Sequence, residues 1–299
     1  MLFCGVSEAG AGTTQRITSR RPPRLSAGLH RYKAGLPAVA RARERRYRYA
    51  QRVNGTGETN GGQAAAPALS GVELFKREAA LRALALVESG MLLGLGTGST
   101  ARWLVQGLGE KLARGELKDV AGVPTSQQTE EQARGLGIRL VALPPEGVDL
   151  AIDGMDELAP GLDAIKGLGG ALTREKIVAV AATRFVLIGD DSKYVRKLGE
   201  KAPVPVEVVR FGHARTRRAL EYLGATTEPR LAGSEPLVTD NGNLIYDCRF
   251  AQGFDARTMA LALAEVPGVV DHGLFLGVAD LAFVASADGV AEHDREWRG

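Results

Sequence analysis

Four short segments of this chain carry side chains whose types and spacing could do chemistry. The first is Gly94-Leu95-Gly96-Thr97-Gly98-Ser99-Thr100, which follows an apolar run and opens a helical pattern. Glycines there let backbone N–H groups approach a ligand, the helix N-terminus adds positive potential, and three hydroxyls add donors, which together make a phosphate cradle. The same residues also suit a tight turn closed by a Ser or Thr cap. A Walker A loop would need a lysine, and a dinucleotide fingerprint a further glycine and an acid after the second strand; Ser99 and Val123-Pro124-Thr125 supply neither. The second segment, Asp153-Gly154-Met155-Asp156-Glu157, directly follows the apolar Leu150-Ala151-Ile152. Carboxylates at a strand's carboxyl end can move protons or bind sugar hydroxyls, and crowding raises at least one pKa; a solvated acidic turn would read the same way.

The third segment, Lys166-Gly167-Leu168-Gly169-Gly170-Ala171-Leu172-Thr173-Arg174-Glu175-Lys176, is a glycine-rich loop leading into a helix. Glu175 falls in the first turn, where the dipole favours the ionised carboxylate that a proton-abstracting base must be. Lys166 offers fixed positive charge for an oxyanion. Ordinary capping by Thr173 with an acidic first turn explains the same residues without chemistry. The fourth, Asp191-Ser192-Lys193, places a lysine at a strand end, where it can pair with phosphate or remain a surface charge.

The elements that must position these residues follow from periodicity. A helix is predicted over 73–87, capped by Ser70 and ended by Gly90. Strands are predicted at 91–95, 119–123, 138–143, 150–152 and 185–189, with helices at 100–112, 126–136 and 173–182 between them, an alternation that argues for a parallel sheet covered on both faces. After Lys201 the order becomes strand 204–209, helix 213–223, strand 226–230, strands 237–239 and 243–250 about the Asn241-Gly242 turn, and helix 256–264, a small α+β unit. Residues 274–277 and 281–285 are predicted to return to the main sheet. The expected domains are thus a basic extension over 1–69, a main domain over 70–202 with 273–299 returning to it, and a small domain over 203–272.

Composition limits the function classes. Hydrophobic residues make up 44% of the 299, enough for a real core, and no apolar run is long enough to span a membrane. Two cysteines, Cys4 and Cys248, are too few for a disulfide framework and suit a reducing compartment, and the four histidines lack metal-type spacing. The net charge of +3 is uneven: residues 1–66 hold 12 Lys and Arg against 3 Asp and Glu, and the remainder 26 against 32. The body is mildly acidic, so the basic whole-chain balance is no argument for a nucleic-acid partner. The head, with Arg20-Arg21-Pro22-Pro23-Arg24 and Arg41 to Arg48, is too poor in apolar residues to bury a face and reads as disordered. An inert leader from an upstream start is preferred over a transit peptide or a nucleic-acid arm.

The segments in their order resemble the A-type ribose-5-phosphate isomerase family. The resemblance adds Val204-Pro205-Val206-Glu207-Val208, Val238-Thr239-Asp240-Asn241-Gly242-Asn243, and Pro267-Gly268-Val269-Val270 followed by Gly273-Leu274-Phe275, and runs from about Leu74 to Val290. It implies a Rossmann-like parallel-sheet domain beside a smaller α+β, ferredoxin-like one. It implies interconversion of ribose 5-phosphate and ribulose 5-phosphate in the pentose phosphate pathway, with no cofactor and no metal, by a homodimer or homotetramer in the cytoplasm. By resemblance Glu175 carries the proton between C2 and C1, Asp153 assists ring opening, and Lys166 with its loop steadies the enediolate. Substrate contacts fall to Thr97, Gly98, Ser99, Thr100, Asp153, Gly154, Met155, Asp156, Lys166, Gly167, Leu168, Gly169 and Lys193, with Lys76 a weaker phosphate candidate. Leu168 stands where the family's loop commonly has glycine. The alternatives are a sugar-phosphate-sensing regulatory domain and an isomerase of another sugar phosphate.

Overall fold

The computed structural model describes residues 71–299, so the expected extension over 1–69 and the Ser70 cap lie outside the described residues. Helix α1 (Gly71–Leu84) buries Ala79, Ala80, Ala83 and Leu84. It ends before the predicted Val87, and Gly90, at φ 83°, turns the chain towards the sheet. Then come β1 (Leu92–Leu95), α2 (Ala101–Ala113), β2 (Ala121–Pro124), α3 (Gln127–Gly135), β3 (Arg139–Leu140) and β4 (Val148–Gly154). β5 (Glu157–Ala159) and β6 (Asp163–Ile165) form a hairpin, followed by α4 (Leu172–Ala181) and β7 (Ala182–Asp190). Near the carboxyl end are β14 (Leu274–Phe275), β15 (Leu281–Ser286) and β16 (Gly289–Asp294).

The main sheet runs β16-β15-β7-β4-β1-β2-β3. Every neighbour pair from β15 to β3 is parallel, and only β16 is antiparallel, at one edge. The strand order therefore reverses between β1 and β4, which leaves a crevice outside their carboxyl ends. Of the two predicted returning strands, β15 joins this sheet and β14 does not. β14 instead pairs with β6, in a three-stranded sheet with β5. The sequence reading missed β5 and β6 because three-residue strands carry almost no periodicity.

The second sheet is built from β8 (Val204–Val208), α5 (His213–Tyr222), β9 (Thr226–Pro229), β12 (Leu244–Arg249), α6 (Ala256–Ala264) and β13 (Val269–His272), ordered β13-β8-β12-β9 with every pair antiparallel. That is the interleaved order of two βαβ units, a ferredoxin-like arrangement. The predicted strand at 237–239 is absent; a two-residue pair, β10 (Leu231–Ala232) with β11 (Glu235–Pro236), precedes it. The Asn241-Gly242 turn is present, closed by bonds between Thr239 and both Gly242 and Asn243. Both sheets belong to one compact unit. Among the described residues no helix is long and apolar enough to cross a membrane.

Glu157, at the start of β5, is fully buried and accepts three backbone bonds of 2.6 Å, from Gly199, Lys201 and Ala202. It is a structural carboxylate that ties the turn after β7 to the hairpin, and not one of the proton-handling acids the acidic segment suggested. Glu157→Gln turns a donor towards those donors. It is expected to cost about 2–3 kcal/mol of stability, read as a lower urea midpoint; an unchanged midpoint would show that the turn does not need the charge.

Candidate functional site

The crevice between β1 and β4 is where three of the four segments meet. Asp153 is the penultimate residue of β4 and only 2% exposed. Its Oδ1 accepts from the N–H of Thr97 (3.0 Å) and of Gly154 (2.7 Å). Gly96 permits this approach: a Cβ there would lie 2.3 Å from Asp153 Oδ1. Thr97 is buried, and its hydroxyl contacts those of Thr125 (2.7 Å), Ser126 (2.8 Å) and Thr129 (3.2 Å). Its N–H is thus directed at Asp153 and its hydroxyl fastens β1 to α3.

Lys166 follows β6, and its backbone N–H donates to Gly273 O (2.9 Å), which carries the β6–β14 pairing onto this residue. Its side chain is 2% exposed and its ammonium donates to Gly154 O. The same ammonium lies 3.1 Å from Asp153 Oδ2 and 3.5 Å from Glu175 Oε2, with the Phe275 ring 5.5 Å away. Glu175 stands on the buried stripe of α4 with Leu172, Val178 and Ala179, a position that periodicity would assign to an apolar residue. α4 can press so close because β1 has Gly94 beneath it, where a Cβ would meet Val178 at 2.4 Å. Asp153 Oδ2 and Glu175 Oε2 are buried without a well-directed hydrogen bond; the ammonium beside them is the only positive charge they face among the described ion pairs.

Burial governs the protonation of this cluster. It pushes Glu175 up to about 8, reinforced by the Asp153 charge and only partly opposed by Lys166. The expectation that the helix dipole holds Glu175 ionised is therefore corrected, because desolvation of a buried carboxylate exceeds the effect of one helix terminus. Burial also raises Asp153, but Lys166 and the two N–H donors counter it. Both carboxyls are thus held above their usual range, Glu175 to about 8. Burial would lower Lys166, and the carboxylates of Asp153, Glu175 and Asp156 outweigh it and hold the ammonium charged.

Comparison with known proteins decides the family. The family model for ribose 5-phosphate isomerase A (phosphoriboisomerase A) matches residues 121–289. The ribose-5-phosphate isomerase A of Deinococcus radiodurans is 51% identical over 224 residues, covering 75% of this chain and 99% of its own. The structure of ribose 5-phosphate isomerase A from Methanocaldococcus jannaschii superposes with a TM-score of 0.71 at 41% identity, covering 74% of this chain and 99% of that one. A structure of D-ribose-5-phosphate isomerase in complex with phospho-erythronic acid gives 0.73 at 39% identity, covering 75% and 100%. This chain belongs to the ribose-5-phosphate isomerase A family.

Within that family frame the remaining predicted residues divide. Thr100 heads α2 without a side-chain cap, and the N–H groups of Gly98, Ser99 and Thr100 have no partner among the described residues. The exposed Ser99 and that uncapped terminus are the open face of the cradle. Asp156 is half-buried and its Oδ2 accepts from Leu168 N–H (2.9 Å), so it braces the glycine loop. Leu168 projects its side chain outward at 43% exposure, while Gly169 lies beside Thr97, whose Cγ2 is 3.8 Å from where a Cβ would sit. Met155 and Lys193 both lie over Gly189 of the neighbouring β7, and the Lys193 ammonium has no protein partner among the described residues. Lys76 is ion-paired with Glu73 at 2.9 Å, and Glu73 also takes Arg102 and Trp103 from the first turn of α2. Among the described residues no group of three His, Cys, Asp or Glu side chains is placed to hold a metal ion.

Two polar hubs escaped the sequence reading. Glu207 of β8 is fully buried and accepts from Thr173, Thr239, Asn241 and Asn243, so the V-P-V-E-V and V-T-D-N-G-N segments meet on one carboxylate at the foot of α4. Thr173 is therefore a tether and not a cap. Arg230 reaches from β9 to the glycine loop.

The raised Glu175 pKa has a stability consequence. The folded chain keeps this proton up to about pH 8, whereas the unfolded chain releases it near 4.5. The native state binds more protons inside that window, so this group's contribution to stability falls as pH rises from 4.5 to 8. Glu175→Gln removes the fall: its Tm minus the parent's is expected to grow between pH 5 and pH 8.5 in scanning calorimetry, and a pH-independent difference would contradict it.

Proposed function

We propose that this chain interconverts D-ribose 5-phosphate and D-ribulose 5-phosphate through a cis-enediolate, with Glu175 as the base. The observation that carries the reading is the Lys166 ammonium held between Asp153 and Glu175 at the switch point of the sheet. A proton α to a carbonyl is weakly acidic, so its removal needs a base within reach and positive charge where the oxyanion develops. A carboxyl with a pKa of about 8 is a stronger base than an ordinary glutamate and remains partly ionised near neutrality.

In the open-chain aldose, Glu175 takes the proton from C2, and the electrons of that C–H bond form the C1–C2 double bond while O1 becomes the oxyanion. Lys166 and the loop after it neutralise that charge. O1 takes a proton, O2 gives one up, and Glu175 returns its proton to C1, leaving a carbonyl at C2. Asp153 Oδ2, the oxygen its backbone donors do not use, is the group for the hydroxyl protons and for ring opening. The N–H groups of Gly98, Ser99 and Thr100 receive the phosphate, with Lys193 as its counter-charge. The relative holding phospho-erythronic acid supports this reading, since that molecule joins a phosphate to a carboxylate. A cytoplasmic location and a homodimer or homotetramer complete the proposal.

Given ribose 5-phosphate alone, the full chain is expected to form ribulose 5-phosphate, and Glu175→Gln to lose at least about a hundredfold in kcat. In the parent kcat/KM should rise with pH through about 8, as Glu175 loses its proton. Part of the product formed in D2O should carry deuterium at C1. A folded parent that turns over another sugar phosphate but not this one would overturn the substrate assignment.

A further inference from the structure

We infer that Arg230, held by Asp247, is a positioning residue that orients the peptide planes of the Lys166 loop for the reaction. The inference rests on the isomerase reading above and concerns residues outside its catalytic groups. Arg230 follows β9, and its backbone is fixed on both sides: its N–H donates to Ile245 O (2.9 Å) and its carbonyl accepts from Leu237 N–H (2.9 Å). The guanidinium is 11% exposed and forks between two jobs. One edge grips Asp247 of β12, through Nε at 2.9 Å and through Nη2. The other, Nη1, donates to Gly167 O (2.6 Å) and Leu168 O (2.9 Å).

These two carbonyls belong to consecutive peptide planes, and in a trans peptide the N–H points opposite to the C=O. Pulling Gly167 O and Leu168 O towards Arg230 turns the N–H groups of Leu168 and Gly169 the other way. Leu168 N–H meets Asp156 Oδ2 there (2.9 Å). Gly169 N–H has no partner among the described residues, and Gly169 is the loop residue beside Thr97 at the cradle. The loop is thus stretched between a cation on the ferredoxin-like unit and an anion after β4. Lys166, its first residue, must keep its ammonium within 3.5 Å of Glu175. Lysine could not replace this arginine, because a point-like ammonium cannot span a carboxylate and two carbonyls in one plane. Leu168 fits the same scheme: its backbone is used on both sides, and its side chain points outward at 43% exposure, so the loop tolerates a side chain at that position.

The test compares the full chain with Arg230→Ala, Arg230→Lys and Arg230→Ala/Asp247→Ala, the last removing the carboxylate that would otherwise be left unpaired. For Arg230→Ala, kcat is expected to fall about ten- to a hundredfold with KM within about twofold, since a misplacement near 1 Å costs rate on that scale. The double variant should match it in kcat while recovering Tm, and Arg230→Lys should not restore the rate. The rise of kcat/KM with pH should move to higher pH, because a slack Lys166 favours the Glu175 carboxylate less. Faster amide exchange at Leu168 in Arg230→Ala reports the loosened loop without reference to turnover. An active parent whose variants keep kcat and the pH profile while losing only Tm would overturn the inference. An inactive parent would overturn the isomerase reading, and the exchange rate at Leu168 would then decide the positioning claim alone.

Discussion

Taking the Lys166 ammonium out of water costs several kcal/mol, and it is tolerated only where charge and acceptors surround it closely. Here the compensation comes from parts of the chain that are far apart: Asp153 and Gly154 from β4, Glu175 from α4, and the face of Phe275 from β14. Each must arrive within hydrogen-bond or ion-pair distance of one nitrogen. That requirement explains features that look unrelated in isolation. Gly94 and Gly96 thin β1 so that α4 and Asp153 can close in, and Lys166 directly follows the small β5–β6–β14 sheet, its N–H extending the β6–β14 pairing.

Two carboxylates facing one ammonium in a dry crevice cannot both be comfortably ionised. The protein divides them by the donors it gives each. Asp153 receives two backbone N–H groups and the shorter contact to Lys166, whereas Glu175 receives only the longer one. The two acids therefore differ in their donors, though both are buried to within a few per cent. Lowering Glu175 by more donors would stabilise the fold at neutral pH and weaken the base. The site therefore keeps a locally unfavourable carboxylate where reactivity needs one.

Much of this was legible in the sequence, because glycine-rich turns after apolar runs mark strand-to-helix crossings and the reactive groups sat beside them. The β1 and β4 segments, the loop from Lys166 and the helix bearing Glu175 were all placed within a few residues. What stayed hidden was of two kinds. Short strands such as Glu157–Ala159 leave no period to count. Long-range polar contacts also leave no local mark: nothing near Glu157 says that its oxygens will meet the turn at Gly199–Ala202, and nothing near Arg230 says that it will meet the loop at Gly167. For Glu175 a dipole argument reached the opposite protonation state, since one helix turn reveals a residue's position but not its burial.

Hydrogen-bond satisfaction separates the structural carboxylates from the reactive ones where sequence cannot. Glu157 and Glu207 are as buried as Glu175, but both oxygens of the first and both of the second accept bonds from backbone or side-chain donors. Their oxygens are taken up in holding turns and loops together. Among the described residues three buried carboxylate oxygens lack a hydrogen bond: Asp153 Oδ2, Glu175 Oε2 and Asp190 Oδ2. The first two share a single ammonium at the carboxyl end of β4, while Asp190 has no ion pair among the described residues and uses its other oxygen to cap the turn at Ser192. An unsatisfied acceptor carries a cost in the resting protein that a bound hydroxyl would relieve. Two such acceptors flank one buried cation at the switch point, and a polyhydroxylated ligand carries donors for both. The polar satisfaction that elsewhere locks the fold thus stops short at the one buried cation, where two carboxylates converge.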